Sequence, residues 1–441
     1  MLPKKITAGE NLKRIRKDLN LKQHEIAGND VTRNLISLIE NNKTPIYYNV
    51  ANIISKNINK ILCERGLDTY IQAEDILNPE RYEARSVANK YIKMLEKHLQ
   101  EKNYNLKVDE LNEIENFLNK WNFVDKKVKI YQLLGEIYYK AKDPNREYYY
   151  YIKALEISYE HPNMKDRYKL ILRLVHNCIL TKKYHEAIRL CEFALSTQEN
   201  LTDRQKGVFH YNLALSYCYL NDYYTAMDHI IYAKYYIPCD NYEYMKKILL
   251  LEGTCNVEVK NYDIALRIYD KLLKIIDENN PEMLSLIYNN ILQIYIRKNN
   301  KPKVIEYHKK ILDLLKHIDE NSYYLPEILI NTANTYDYLE DYESYEKYLK
   351  KSLSLSKETN NKNLISKALA LLANYYIKRK QFDKIKILLE DYEKEIFNFK
   401  LDENALTFLK IIYYLINNNY NQETQSMLTK LLEKRGNCNE T

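Results

Sequence analysis

A side chain that recurs at a nearly constant interval, and is nearly always aromatic, is the feature of this sequence that most constrains its fold. The recurring positions are Tyr184, Tyr223, Tyr262, Lys301, Tyr342, Phe382 and Tyr420, and their successive spacings are 39, 39, 39, 41, 40 and 38. A period of this length, with apolar residues at helical spacing, is typical of stacked helix–turn–helix units. The ladder predicts eight such units, the first around residues 128–159 and the last around 406–435. We interpret the rings as packing between helices and not as a cofactor site.

Small residues accompany the ladder where two helices must cross closely. They lie three residues after three of the aromatic positions, at Ala187, Ala226 and Ala265. Matching small residues, Gly135, Ala214 and Gly253, fall in the first helix of a unit. The chain has only 7 Gly and 9 Pro in 441 residues, so few positions interrupt helices. The sequence therefore predicts an all-α fold.

The N-terminal segment has a different pattern, centred on residues 22–45. It predicts two short helices joined by a tight connection, and Thr32 is placed to cap the second of them. Ile36 and Ile39 share the inward face of that helix, whereas Arg33, Asn34 and Ser37 lie on the opposite face near its N-terminal end. This is the arrangement of a helix that enters a DNA groove and contacts base edges.

The positive charge of the chain is concentrated in the same segment. Residues 1–62 carry 11 Lys and Arg against 5 Asp and Glu, a net charge of +6 out of +7 for the whole chain. Binding to DNA phosphates requires such a local excess. Charge and helix pattern therefore indicate the same function for the same segment.

This segment resembles the helix-turn-helix domains of the XRE class of bacterial and phage repressors. The resemblance rests on Lys-Arg-Ile-Arg at 13–16, Leu-Lys-Gln-His-Glu-Ile-Ala at 21–27 and Ile-Ser-Leu-Ile-Glu-Asn-Asn-Lys-Thr-Pro at 36–45. It implies phosphate contacts from Gln23, Asn42 and Lys43, and base contacts from Arg33, Asn34 and Ser37. The sequence departs from the class at Asn42, where glycine is usual, and at Leu35 and Leu38, where polar residues are common. The predicted DNA-binding set is Gln23, Thr32, Arg33, Asn34, Ser37, Asn42 and Lys43.

A connector follows at residues 63–126, with breaks at Gly66 and Pro79 and two apolar helical stretches. These stretches are compatible with a degenerate first repeat or with a dimerisation helix. The predicted domains are thus a DNA-binding domain at 1–62, the connector at 63–126 and a repeat array at 127–441.

Signatures of catalysis are missing from the sequence. It has no P-loop, no Gly-x-Gly-x-x-Gly, no His-Glu-x-x-His and no nucleophile elbow. The seven cysteines show neither a Cys-x-x-Cys pair nor metal-ligand spacing, and no apolar run is long enough to span a membrane. We therefore expect a cytoplasmic protein that is not an enzyme and has no cofactor or metal.

The array resembles tetratricopeptide repeats, which implies an α-solenoid whose first helices line a concave channel. Polar side chains recur at two fixed offsets from the ladder positions, −11 and −8, which match the positions that hold peptides in tetratricopeptide domains. An amide can both donate to and accept from an extended peptide backbone, and an arginine can bind a carboxylate. The predicted peptide-binding set is Arg173, His176, Asn212, Asn290, Gln293, Arg297, Asn331, Asn334 and Asn374.

A helix-turn-helix followed by a tetratricopeptide array is similar to the RRNPP family, the peptide-sensing quorum regulators of Gram-positive bacteria. The resemblance implies a homodimeric transcription factor that binds an operator in double-stranded DNA and a short signalling peptide. Two alternatives remain open. The array docks a protein partner, as in Rap-type proteins, while DNA binding is constitutive, or the chain is a phage-type repressor with a purely structural array.

Overall fold

Helices account for the secondary structure of every described part of the chain. The computed structural model describes residues 6–67, 69–160, 167–197, 201–277, 279–359, 361–391, 403–417 and 425. These residues form 22 α-helices, which confirms the predicted all-α fold class. The chain divides into two compact units, residues 1–238 and 239–441.

The first unit begins with five helices that pack around one apolar core, here called the head. They are α1 (Ala8–Asp18), α2 (Gln23–Ala27), α3 (Arg33–Glu40), α4 (Tyr48–Glu64) and α5 (Ala73–Leu77). Leu12, Ile36, Ile54 and Ile76 are completely buried in this core. The head therefore buries one side of α1, α3 and α4 and leaves the other side exposed.

Helix pairs complete the first unit. They are α6 (Pro79–Gln100) with α7 (Val108–Lys120), α8 (Val124–Lys140) with α9 (Pro144–Ser158), α10 (Arg167–Leu180) with α11 (Tyr184–Ser196), and α12 (Asp203–Tyr219) with α13 (Tyr223–Tyr236). One continuous apolar core runs from α6 to α12. Helix pairs thus stack in this unit as they do in an α-solenoid.

The second unit repeats the same architecture. Its helices are α14 (Tyr242–Glu258), α15 (Tyr262–Leu273), α16 (Pro281–Arg297), α17 (Lys301–Leu315), α18 (Leu325–Tyr338), α19 (Tyr342–Glu358), α20 (Lys362–Lys378), α21 (Phe382–Asp391) and α22 (Glu403–Asn417). Six of the seven ladder positions are the first residue of a second helix. The seventh, Tyr420, lies outside the described residues, as does most of the predicted eighth unit.

A left-handed residue ends the first helix of each complete pair. Its φ lies between 52° and 66° at Lys142, Lys182, Asn221, Lys260, Asn299, Glu340 and Lys380. In each turn the following amide donates to the carbonyl five residues back, as Asp143 does to Tyr138 at 3.0 Å. This is the Schellman motif, which usually uses glycine. Lys102 at the end of α6 adopts the same geometry, so the turn that defines the repeat also occurs within the predicted connector.

In two of the pairs, the helices touch where a glycine faces a large ring. A Cβ added to Gly253 on α14 would lie 2.5 Å from the ring of Tyr269 on α15, and Gly135 stands in the same relation to Tyr151. The glycine and the tyrosine are the same distance apart in sequence in both pairs. At the same register Ala214 on α12 corresponds to Ile230 on α13, and both are buried. In these three pairs, the pair with the slightly larger small residue, alanine, has the smaller counterpart, isoleucine.

Buried ion pairs join the head to the helix pairs. Arg85 on α6 contacts Asp75 of α5 at 2.8 Å and Asp125 of α8 at 3.1 Å, and all three side chains are at most 6% exposed. Arg81 adds a second ion pair to Asp75 at 2.7 Å, and both guanidinium groups lie over the ring of Phe123. Removing one member of such a group leaves an unpaired buried charge, a loss of about 3–5 kcal/mol. The head is thus tied to α6 and α8 by side chains.

We expect Gly253→Ala to lower the free energy of unfolding by about 1–3 kcal/mol, because the new methyl group overlaps the Tyr269 ring. Urea unfolding followed by circular dichroism measures the change. The double variant Gly253→Ala/Tyr269→Ile reproduces the native Ala214–Ile230 combination. It should therefore recover part of the stability that the single variant Tyr269→Ile loses. Strictly additive effects would contradict a direct contact at this crossing.

A buried histidine in the second unit predicts that its stability depends on pH. His308 on α17 is 6% exposed, and neither ring nitrogen has a hydrogen-bond partner among the described residues. Burial lowers the pKa of His308 from 6.5 to about 4, although Asp341 acts in the opposite direction. The unfolded chain therefore takes up a proton below pH 6.5 while the folded chain stays neutral until about pH 4, so stability is lost as the pH falls.

We expect the parent chain to lose about 2 kcal/mol more than His308→Leu when the pH falls from about 7 to about 5. Leucine is the native residue at the corresponding register of α19, Leu349, which is buried. Chemical unfolding of both proteins at the two pH values tests this. The same loss in both proteins would show that His308 does not contribute to acid sensitivity.

Candidate functional site

The exposed side of the head is built around α3. The Thr32 hydroxyl accepts a hydrogen bond from the Leu35 amide at 3.2 Å and so caps this helix. Arg33 and Asn34 follow in the first turn and are exposed, whereas Ile36 is completely buried. A guanidinium and an amide therefore project from the N-terminal end of a helix that is fixed by its opposite face.

A buried carboxylate holds α3 against α1 and α2. Glu40 accepts two hydrogen bonds from Arg16, at 2.6 and 2.8 Å, and one from Gln23 at 2.9 Å. Burial would raise the pKa of Glu40, but the bonds from Arg16 and Gln23 hold that pKa below its ordinary value. Glu40 therefore stays ionised and stabilises the contact. Gln23, predicted as a phosphate contact, has its amide group engaged within the head.

The end of α3 contains the two predicted residues Asn42 and Lys43. Asn42 has φ 57°, and its Oδ1 accepts a hydrogen bond from the Thr7 hydroxyl at 2.6 Å. Asparagine tolerates this left-handed conformation better than most residues, which accounts for its replacement of the usual glycine. Lys43 is exposed beside it and Ser37 is partly buried.

Exposed aromatic and apolar side chains also belong to this side of the head, and the two tyrosines among them were not predicted from the sequence. Tyr47 and Tyr48 follow Pro45, a few residues after the end of α3 in the sequence, and expose 69% and 54% of their surface. Leu38 is 41% exposed on α3 itself, while Leu35 packs against the core of the head. The sequence placed both leucines outside the inner stripe, and only the structure separates the exposed one from the packed one.

A polar cluster lies on the first helices of two pairs in the first unit. Arg173 on α10 forms an ion pair with Glu136 on α8 at 3.0 Å and lies over the ring of Tyr139. The ring of His176 meets Tyr139 edge-on at 5.8 Å. Burial and the charge of Arg173 lower the pKa of His176, which favours the neutral imidazole. The structure thus brings two predicted peptide contacts together and gives one of them an internal carboxylate partner.

The other predicted residue of this unit, Asn212 on α12, is partly buried and donates to the carbonyl of Val208 in its own helix at 2.9 Å. In the second unit, Arg297 likewise has an internal partner, Glu258 of α14, at 2.8 Å. These bonds reduce the capacity of Asn212 and Arg297 for an external ligand.

The remaining predicted residues form a row of amides in the second unit. Helices α16, α18 and α20 contact in succession, and each contributes at least one partly buried amide side chain. The row consists of Asn290, Gln293, Asn331, Asn334 and Asn374. Two amides on one helix are three positions apart, so they lie on the same face. We call these five residues the amide row.

No group of three or more potential metal ligands occurs among the described residues. Among the helices described, none is both long and apolar enough to cross a membrane.

No family model and no curated protein matches this chain. Among solved structures it is similar to aspartyl phosphate phosphatase F from Bacillus subtilis, with 14% identity, a TM-score of 0.48, and coverage of 92% of this chain and 97% of that one. For the apo form of RapI the identity is 16%, the TM-score 0.46 and the coverage 62% and 99%. For PlcR of Bacillus thuringiensis in complex with the peptide PapR7 and DNA, the values are 13%, 0.32, 70% and 94%. These similarities concern helical-repeat proteins, and no residue role is transferred from them.

Proposed function

We propose that this chain is a homodimeric, DNA-binding transcriptional regulator of the RRNPP type, and that its array binds a short signalling peptide which modulates DNA binding. The observation that carries the proposal is the capped N-terminal end of α3, where Arg33 and Asn34 are exposed, within the segment of residues 1–62 that has a net charge of +6. A helix of this kind places two base-reading side chains in the major groove while nearby lysines neutralise phosphates.

The amide row supports the peptide half of the proposal. Its side chains are only partly buried on successive first helices. Asn290 also hydrogen-bonds to Tyr269 within the protein, so Gln293, Asn331, Asn334 and Asn374 are the stronger candidates. Amides spaced along successive helices can pair with the N–H and C=O groups of an extended peptide, whatever its side chains. Arg173, His176, Asn212 and Arg297 remain weaker candidates, because three of them already bond within the protein and His176 packs against Tyr139.

The proposed coupling is a shift between two conformations. Paired heads bind tightly when their separation matches half-sites about 34 Å apart, or a multiple of that distance. A peptide that binds one conformation of the array better favours that conformation by its difference in affinity. Because Arg85 joins the head to α6 and α8, movement of those helices would be transmitted to the head.

For DNA binding, we expect Arg33→Ala to reduce discrimination between the operator and unrelated DNA by about 1–3 kcal/mol, because a base contact is lost. Lys43→Ala should weaken binding to all sequences and reduce the salt slope by about 1, because a phosphate contact is lost. Fluorescence anisotropy on DNA from upstream of the gene and on an unrelated duplex, over a range of salt concentrations, measures both effects.

The matched control is Lys347→Ala, which removes one exposed lysine of α19 far along the sequence from the head. It should leave both affinity and salt slope unchanged. Unchanged specificity in Arg33→Ala would remove Arg33 from the set of base-reading residues, and a parent protein that binds no DNA would argue against the proposed helix-turn-helix.

For peptide sensing, we expect the small-peptide fraction of spent medium from the source organism to change the DNA affinity of the parent protein. Asn334→Ala/Asn374→Ala should abolish this response and retain DNA binding, since two amides of the row are removed. Asn363→Ala, an exposed amide on the same helix as Asn374, is the control and should respond like the parent. If the parent and both variants bind DNA tightly and the peptide fraction changes none of these affinities, the alternative in which the array docks a protein would be favoured.

A further inference from the structure

One helix of the array has an outward face unlike that of its equivalents. On α13, Tyr224, Ile231, Tyr232 and Tyr235 expose 71%, 64%, 51% and 80% of their surface. Counted from Tyr223 as position 0, they occupy positions 1, 8, 9 and 12, and with the exposed Asp228 at position 5 they form one stripe. We call the five residues at these positions the α13 stripe.

The second helices of the other pairs provide a comparison for the α13 stripe, because the repeat gives each of them equivalent positions. The same five positions are also described on α9, α11, α15, α17 and α19, and all are exposed except Ile152 and Lys153 on α9, which are partly buried. In that order of helices they are occupied by Asn145, Tyr149, Ile152, Lys153, Glu156; His185, Arg189, Glu192, Phe193, Ser196; Asp263, Arg267, Asp270, Lys271, Lys274; Pro302, Glu306, Lys309, Lys310, Asp313; and Glu343, Lys347, Lys350, Lys351, Ser354. One tyrosine, Tyr149, occurs among these 25 positions, although the chain contains 44. Abundance of tyrosine in the sequence therefore does not explain three of them in one stripe.

Packed rings behind the stripe hold Tyr232 in place. The ring of Tyr232 stacks on His210 of α12 at 5.0 Å, and His210 stacks in turn on Tyr236 at 5.7 Å. His210 and His229 approach within 3.2 Å through their Nδ1 atoms. A tyrosine fixed in this way loses little conformational entropy when a partner covers it, as is typical of the residues that dominate protein interfaces.

We propose that the α13 stripe is the surface through which two copies of this chain pair, with their α13 helices antiparallel about a two-fold axis. The inference deepens the proposed function, in which the regulator is a homodimer, by naming the interface. The stripe suits a copy of itself because its two ends are alike: an axis midway between Tyr224 and Tyr235 places each of these rings against the other of the partner chain.

Polar groups match under the same operation. The axis brings the carboxylate of Asp228 next to Ile231 and Tyr232 of the second copy, where the tyrosine hydroxyl can donate to it. This contact occurs twice because the interface is symmetric. The stripe contains one charge among five residues, so it offers little to a strongly charged partner, whereas the outward faces of α15, α17 and α19 are strongly charged.

The exposed area of the stripe approaches that of a specific dimer interface. The three tyrosines alone expose about 400 Å² per copy if each ring side chain has roughly 200 Å² to bury. Two copies would then cover about 800 Å² before Ile231 and the flanking residues are added, close to the roughly 1,000 Å² that a specific interface requires.

Sedimentation velocity of the full-length protein tests the inference over a range of micromolar concentrations. The variant Ile231→Asp/Tyr235→Asp adds two carboxylates per chain to a stripe that already contains Asp228, so we expect it to sediment as a monomer where the parent is a dimer. The control, Ser196→Asp/Ser354→Asp, adds the same charge at position 12 of α11 and α19 and should remain dimeric. Circular dichroism melting checks that both variants keep the parental fold, as expected for such exposed positions.

The outcomes distinguish a failure of the α13 interface from a failure of the proposed homodimer. A parent dimer that the α13 variant leaves intact would overturn the α13 interface and retain the homodimer. A parent that is monomeric throughout would overturn both the interface and the homodimer, and would leave the stripe to a different protein. DNA binding is read separately by anisotropy: a monomeric α13 variant should bind a single half-site and lose the affinity gain on paired half-sites.

Discussion

The close crossing of two helices within each pair is the contact on which the rest of the structure depends. Neither helix of a pair can bury its apolar side alone, and the burial continues only if each pair presents a matching surface to the next. Gly253 and Tyr269 show how local this requirement is. A ring of that size fits between two helices only where its neighbour lacks a side chain, and the sequence changes both members together when Ala214 and Ile230 occupy the same register.

Much of this architecture can be predicted from the sequence, because a pattern that is weak in one unit recurs in the others. A single aromatic residue predicts little, but seven positions at nearly equal spacings mark the starts of the second helices, and six of these starts are confirmed. The turns were not readable. Left-handed Lys142, Asn221 and Glu340 stand where glycine would have been the signal, and ordinary polar residues carry no trace of that conformation. For the same reason, the sequence did not predict the turn at Lys102 within the connector.

For the candidate DNA- and peptide-binding side chains, the sequence predicted exposure better than it predicted internal bonding. Position along a helix placed Arg33, Asn34 and Lys43 on the exposed side of the head, because the opposite side had to be buried. The sequence could not tell which polar groups already have partners inside the protein. Gln23 bonds to Glu40, and Arg297 to Glu258, through contacts that join positions 17 and 39 apart in the sequence. Only a three-dimensional structure distinguishes such internal pairs from groups available to a ligand.

The ion pairs of Arg85 raise the question of what a charge network contributes at a junction that an apolar contact could also hold. Two aspartates and two arginines must be desolvated there, and replacing such groups with well-packed apolar residues often stabilises a protein. Their advantage lies in geometry. Arg85 meets Asp75, Asp125 and the Tyr70 carbonyl through different donors of one planar group, so its hydrogen bonds are satisfied in only one arrangement of α5, α6 and α8. An apolar contact tolerates sliding between helices, whereas a guanidinium with these partners does not. A head attached in this way keeps a defined orientation on the first helix pairs, as the proposed control of DNA binding by the spacing of two heads would require.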